Sequence, residues 1–254
     1  MLSQSIWWSS IALEILLLVR GLLARVASRY PAFYFYVSFV LLQDLLSFLV
    51  YRWYPPQIYR SVYWTTEFLG VLIGCGIVFE IYRVGLAAYP GAARMARNVL
   101  AIVFSTALAK GLADAANDPR WWLEATARDV EIVLRTVQAI SLIALVALFL
   151  FYSIPFGKNL RGILVGYGLF VSASVVSMNF APVGVRTFSD FWVYLFPASY
   201  LITLSVWTAH LWSYRAIPVP KETVRIEQEY QRLAAATHRR LQEARGYLAK
   251  AVRP

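Results

Sequence analysis

Five ionisable side chains, Glu14, Asp44, Glu67, Lys110 and Arg135, stand inside long apolar stretches of this 254-residue sequence. A charge at the centre of a membrane costs about 2.5–3.5 kcal/mol on insertion scales, so each of these groups is expected to face protein and to mark a site. Lys110 precedes Asp114 by four residues and Glu131 precedes Arg135 by four, so on a helix either cation meets a carboxylate one turn away. Glu14, Asp44 and Glu67 have no basic residue three or four positions to either side. Each of the three therefore needs a partner on another helix, or a bound proton. The expected arrangement sets Asp44, Glu67 and Glu14 opposite Lys110 and Arg135 across a cavity, with Gln43, Thr66 and Gln138 as hydrogen-bonding neighbours. Such a layer could take a ligand, relay protons, or simply lock helices together.

The elements that must position these groups are membrane spans. The chain is 59% hydrophobic and only 15% charged, against roughly 45–50% and about 25% for a soluble domain, so the apolar excess calls for lipid as solvent. Crossing about 30 Å of hydrocarbon takes roughly 20 apolar residues in a helix. Seven such runs are expected, at Ile6 to Ala24, Phe33 to Trp53, Ser61 to Val84, Asn98 to Ala116, Val130 to Tyr152, Leu160 to Phe180 and Phe191 to Trp212. Prolines and glycines separate them: Pro31, Pro55 and Pro56, Pro90 and Gly91, Pro119, Pro155 and Gly157, Pro182 and Gly184. The fold expected is an all-α bundle of seven transmembrane helices spanning residues 1–216. Helical pattern upstream of Val130 predicts a fifth helix that begins near Pro119 and projects beyond the outer surface.

Charge sets the orientation. No Lys or Arg precedes the first apolar run, while Arg20, Arg25 and Arg29 follow it. The first helix is therefore read as retained rather than cleaved, with the N-terminus outside and the C-terminus in the cytoplasm. Arg83, Arg94, Arg97, Lys158, Arg161, Arg215 and Lys221 fall on the inner side, whereas outer arginines are diluted by Asp118, Glu124, Asp129 and Asp190. Trp7, Trp8, Trp53, Trp64, Trp121, Trp122 and Trp192 fall near the outer boundary, as an aromatic belt would. On these grounds the five charges lie in the outer half of the bundle. The location expected is the inner membrane of a bacterial cell.

After Pro218 and Pro220 the composition becomes basic and water-facing. Ile226, Tyr230, Leu233, Thr237, Leu241, Ala244 and Leu248 make one stripe at helical spacing, so residues 217–254 are read as a cytoplasmic helical tail. Its stretch 221–252 could dock a cytoplasmic protein, pair with a second copy, or lie on anionic lipid.

Other signals are structural or absent. Gly70 with Gly74 and Gly162 with Gly166 have the spacing that lets a neighbouring helix approach, and are read as packing positions. Glu80, near Arg83, and His210 are read as interfacial or capping groups. Cys75 is the only cysteine and His210 and His238 the only histidines, so neither a disulfide nor a multi-histidine metal centre is available. No cofactor is expected. The net charge of +10 sits in clusters between apolar runs, which argues against nucleic acid as a partner and for the bilayer. No GxSxG, Walker or HExxH motif occurs, and the seventh run carries no lysine for a retinal Schiff base.

In helix count and orientation alone, the layout resembles the seven-helix sensor regions of many bacterial membrane proteins. The function expected is receptor- or sensor-like, with a ligand or proton acting in the outer-half layer and the tail passing the signal on. A proton-coupled transporter or channel, a lipid-modifying enzyme using Asp44 or Glu67 as acid or base, and a non-catalytic scaffold are the alternatives.

Overall fold

The computed structural model describes residues 2–116, 123–151, 157–180, 186–215, 232–237 and 239, and within these every side chain except those of 2–4, 115, 123–126, 180 and 186–196. Seven long helices account for nearly all of them: α1 (Leu2–Leu23), α2 (Pro31–Trp53), α3 (Pro56–Gly85), α4 (Pro90–Ala116), α5 (Leu123–Phe151), α6 (Lys158–Phe180) and α7 (Arg186–Leu211). No strand occurs among the described residues. Six of the helices, α1 to α6, are long and apolar enough to cross a membrane, so the chain is a multi-pass membrane protein by the measure of its helices.

Local chemistry explains the boundaries. Pro31, Pro56 and Pro90 open α2, α3 and α4 at the first helical position, where a missing N–H costs nothing. Tyr54 precedes Pro55 and is forced extended, which ends α2 at Trp53. At the end of α1 the Val26 amide donates to the Gly21 carbonyl at 2.9 Å and the Arg25 amide to Leu22 at 3.1 Å. With Arg25 left-handed at φ 55, this is a Schellman stop, and Val26, fully buried, is its apolar anchor. Every helix starts earlier than its apolar run, α3 at Pro56 rather than Ser61, α4 at Pro90 rather than Asn98 and α7 at Arg186 rather than Phe191 among them, while the start of α5 at Leu123, ahead of Val130, is the one the upstream helical pattern predicts. Hydrophobicity marks only the stretch that lipid requires, and helices continue through polar turns beyond it. Pro119, Trp121, Trp122, Pro155, Pro182 and Gly184 lie outside the described residues, as does most of the tail. Within the tail, residues 232–237 are helical and exposed.

The packing order differs from chain order. α1 packs on α2, α2 on α3, α3 on α5, α5 on α6, α6 on α7 and α7 back on α1, which closes a ring. α4 stands outside that ring, against α5 and, more lightly, α3. Aromatic side chains fill the interior. Trp207 of α7 is fully buried, meets the Phe33 ring edge-on at 4.9 Å and donates its indole N–H to the Ile163 carbonyl at 3.4 Å. Gly166 makes this possible, because a Cβ there would collide with the Trp207 indole. Gly162 likewise leaves space for His210, whose Nδ1 lies 2.9 Å from the Val206 carbonyl.

Polar side chains tie the helix ends together. The Asn159 amide donates to the carbonyls of His210 and Ser213 at 3.0 and 2.8 Å and accepts from the Arg215 amide at 2.7 Å. It thereby closes the end of α7 from α6. Glu80 caps α2 from α3, its two carboxylate oxygens accepting from the Ala32 and Phe33 amides at 3.1 and 2.9 Å. Arg83 adds a 3.3 Å contact from the exposed side. Glu80→Ala is expected to cost about 2–3 kcal/mol, because charge-assisted bonds to otherwise orphaned amides disappear. Thermal melting in detergent reads this, and melting unchanged from wild type would refute the capping role.

Candidate ligand or proton site

Arg135 organises the polar interior. It lies on α5 with its side chain 5% exposed, and its Nε donates to Glu131 Oε1 at 2.6 Å on the same helix. Its Nη2 donates across to Glu67 Oε1 of α3 at 2.9 Å. The other Glu67 oxygen accepts from Gln43 Nε2 of α2 at 3.2 Å. One face of the guanidinium covers the Phe170 ring of α6 at 4.9 Å, an arrangement that suits a planar delocalised cation. A single arginine therefore joins α2, α3, α5 and α6.

One turn further along α5 the fully buried Gln138 forms a second tier. Its amide N–H groups reach the Val71 carbonyl at 3.1 Å and Cys75 Sγ at 3.3 Å, and its oxygen accepts from the Tyr167 hydroxyl at 3.0 Å. Gly74 leaves the space that the Tyr167 hydroxyl occupies. This tier is closed: Gln138 and Tyr167 are 0% and 1% exposed.

Above it is a cavity of about 430 Å³, bounded by Asp44, Glu67 and Arg135 with the rings of Tyr36, Phe170 and Tyr200. Glu67 keeps 23% side-chain exposure, so the cavity is reached from the surface. Asp44 is half-buried, with the Trp7 indole as its hydrogen-bonding neighbour. Glu14 is fully buried beside the cavity, where its Oε1 accepts from the Tyr200 hydroxyl at 2.6 Å and its Oε2 has no partner. Two carboxylates, Glu67 and Glu131, thus share one guanidinium, and two more, Asp44 and Glu14, have only neutral partners. This excess of acid can accept protons or a cationic group.

The structure brings Glu14, Asp44, Glu67, Arg135 and Gln138 together from four helices, and leaves two expected members out. Lys110 pairs with Asp114 on the exposed side of α4, its side chain 66% exposed. The correction has a plain cause, since α4 stands outside the ring and the lysine is already matched on its own helix. Thr66 turns back to the Val62 and Tyr63 carbonyls of α3 at 2.9 and 3.0 Å and reaches no neighbouring helix. Gly70 is a further correction: a Cβ there would come no closer than 3.5 Å to Phe39. It lines the cavity and is not a close-packing position. Tyr36, Tyr167 and Tyr200 belong to the site although nothing in the sequence singles them out, and Trp7, expected in the outer aromatic belt, lines the cavity beside Asp44. With 16 tyrosines and 9 tryptophans in the chain, residue type alone does not distinguish the few that face inward. Among the described residues no group of three His, Cys, Asp or Glu side chains is disposed to hold a metal.

Compared with protein families, with curated proteins and with solved structures, the chain matches none.

Proposed function

We propose that the chain is a receptor- or sensor-like membrane protein whose ligand or proton acts at the cavity bounded by Asp44, Glu67 and Arg135. In this reading α7 is a seventh crossing, the N-terminus is outside, the cavity opens to the outer side, and the tail at 217–254 meets a cytoplasmic partner or a second copy. In a bacterium the membrane is the inner one. The observation that supports it is the cavity itself: ionisable groups contributed by separate helices border a space that Glu67 keeps open to the surface, while the Gln138 and Tyr167 tier closes it below. A buried charge network that served packing alone would leave no such space. One-sided access favours sensing over transport, which needs the site exposed to both faces in turn.

Thiol labelling tests this. In a Cys75→Ala background, Gln43→Cys is expected to react with a membrane-impermeant cationic thiol reagent applied to intact cells, and to resist it in inverted vesicles. Reaction from both faces would replace the sensor reading with a transporter. Reaction from neither, in protein that still melts cooperatively, would reduce the layer to a packing network and the chain to a scaffold.

A further inference from the structure

A second cavity, of about 630 Å³, lies at the other end of α3, where the start of α2, the end of α3 and the start of α4 diverge. Its polar rim is Arg83, Arg94 and Arg97. Arg94 and Arg97 stand three residues apart, on one face of α4, exposed and without a hydrogen bond or ion pair among the described residues. The carboxylate within reach is Glu80, and both its oxygens are committed to the Ala32 and Phe33 amides. Its one contact with Arg83, at 3.3 Å, leaves that side chain 66% exposed. Three cations therefore share a rim whose only acid, among the described residues, is already occupied.

The floor is of opposite character. Phe79, Ala87 and Ala93 line it. At Gly76 an added Cβ would meet nothing nearer than Ala32 at 3.8 Å, so the space over it is open. From the rim, the same stripe of α4 continues as Ala101 and Phe104, and the Phe104 ring lies 5.5 Å from that of Phe79. A basic mouth, an apolar floor and an apolar track leading away along the helix fit an amphiphile that bears an anion at one end.

We propose that this cleft binds an anionic phospholipid, its phosphate at Arg83, Arg94 and Arg97 and its chains along Gly76, Phe79 and the stripe of α4 that continues from the arginines. Lipid-facing basic pockets at the cytoplasmic end of a bundle suit anionic headgroups because that leaflet carries the negative surface charge. Free phosphate would use the rim and waste the floor. The inference rests on α2 to α4 crossing a membrane with this end on the cytoplasmic side, the orientation proposed above, and is independent of the outer cavity.

The experiment is native mass spectrometry of the full chain released from nanodiscs made of equal parts phosphatidylglycerol and phosphatidylcholine. Wild-type protein is expected to retain the anionic lipid about tenfold over the zwitterionic one. Arg94→Gln/Arg97→Gln should bring the ratio close to one, and Gly76→Leu should lower retention of the anionic lipid with the arginines intact. Neither variant removes a contact inside the bundle, so both should melt as wild type, and each tests the site without the other. Equal retention of the two lipids by wild type, or a ratio unchanged in both variants, would overturn the proposal. So would displacement of the retained lipid by excess inorganic phosphate at constant ionic strength, since that would assign the rim to a free anion.

Discussion

Arg135→Gln is expected to destabilise the bundle by about 3–5 kcal/mol, because it removes the one cation that two acids share. The loss falls mainly on Glu131, whose side chain is 2% exposed and whose Oε1 is bonded to Arg135 Nε at 2.6 Å. Glu67 suffers less, since it is 23% exposed and keeps its bond from Gln43. This asymmetry yields a sharper test than the single variant. Glu131→Gln/Arg135→Gln should recover much of the loss, since it removes the buried acid together with its cation, whereas Glu67→Gln/Arg135→Gln should recover little. Melting in detergent, with refolding verified, measures all three. If Arg135→Gln melts with wild type, the guanidinium is not what holds α3 to α5.

The second large effect is expected at Trp207. Trp207→Ala should cost about 3–5 kcal/mol, through a different mechanism from that in a soluble core. Lipid is as apolar as the interior, so the cost comes from the dispersion attraction that an empty cavity forfeits, and less from exposure to solvent. The indole is fully buried and lies edge-on to Phe33, so little can move in to replace it. Gly166→Leu should cost about 1–3 kcal/mol by pushing the ring away from α6. Because a side chain at 166 and the Trp207 indole compete for the same volume, the two changes combined should cost less than their sum, the added side chain filling part of the space the indole leaves. Strict additivity in a double-mutant cycle would show that α6 and α7 do not meet through this pair.

These two sites differ in how far the sequence reveals them. The Gly162 and Gly166 spacing announces a close helix contact on its own, because two glycines four apart make a flat strip on one face. It does not name the helix that uses the strip, and the structure supplies Trp207 and His210 of α7. Glu131 and Arg135 are legible as a pair by their spacing, and Glu67 as an acid without a helical partner. That one guanidinium serves both acids is not legible, because nothing in a linear pattern says that α3 rather than α4 faces α5 at that level. Lys110 shows the same limit from the other side. Its charge and its depth in an apolar run are those of a site residue, yet its helix stands outside the ring.

What the order of residues determined by itself was the set of helices, the breaks at Pro31, Pro55, Pro56 and Pro90 among the described residues, and which acids lacked a partner on their own helix. Each of these follows from interactions within about one helical turn, or from the length of chain that lipid demands. Tertiary structure alone decided that α1, α2, α3, α5, α6 and α7 close a ring with α4 outside, that Tyr200 and Trp7 rather than Lys110 answer Glu14 and Asp44, and that a cavity is left among them. Those outcomes depend on which faces meet, and a rotation of one helix by a fraction of a turn exchanges interior for lipid without altering a single local spacing.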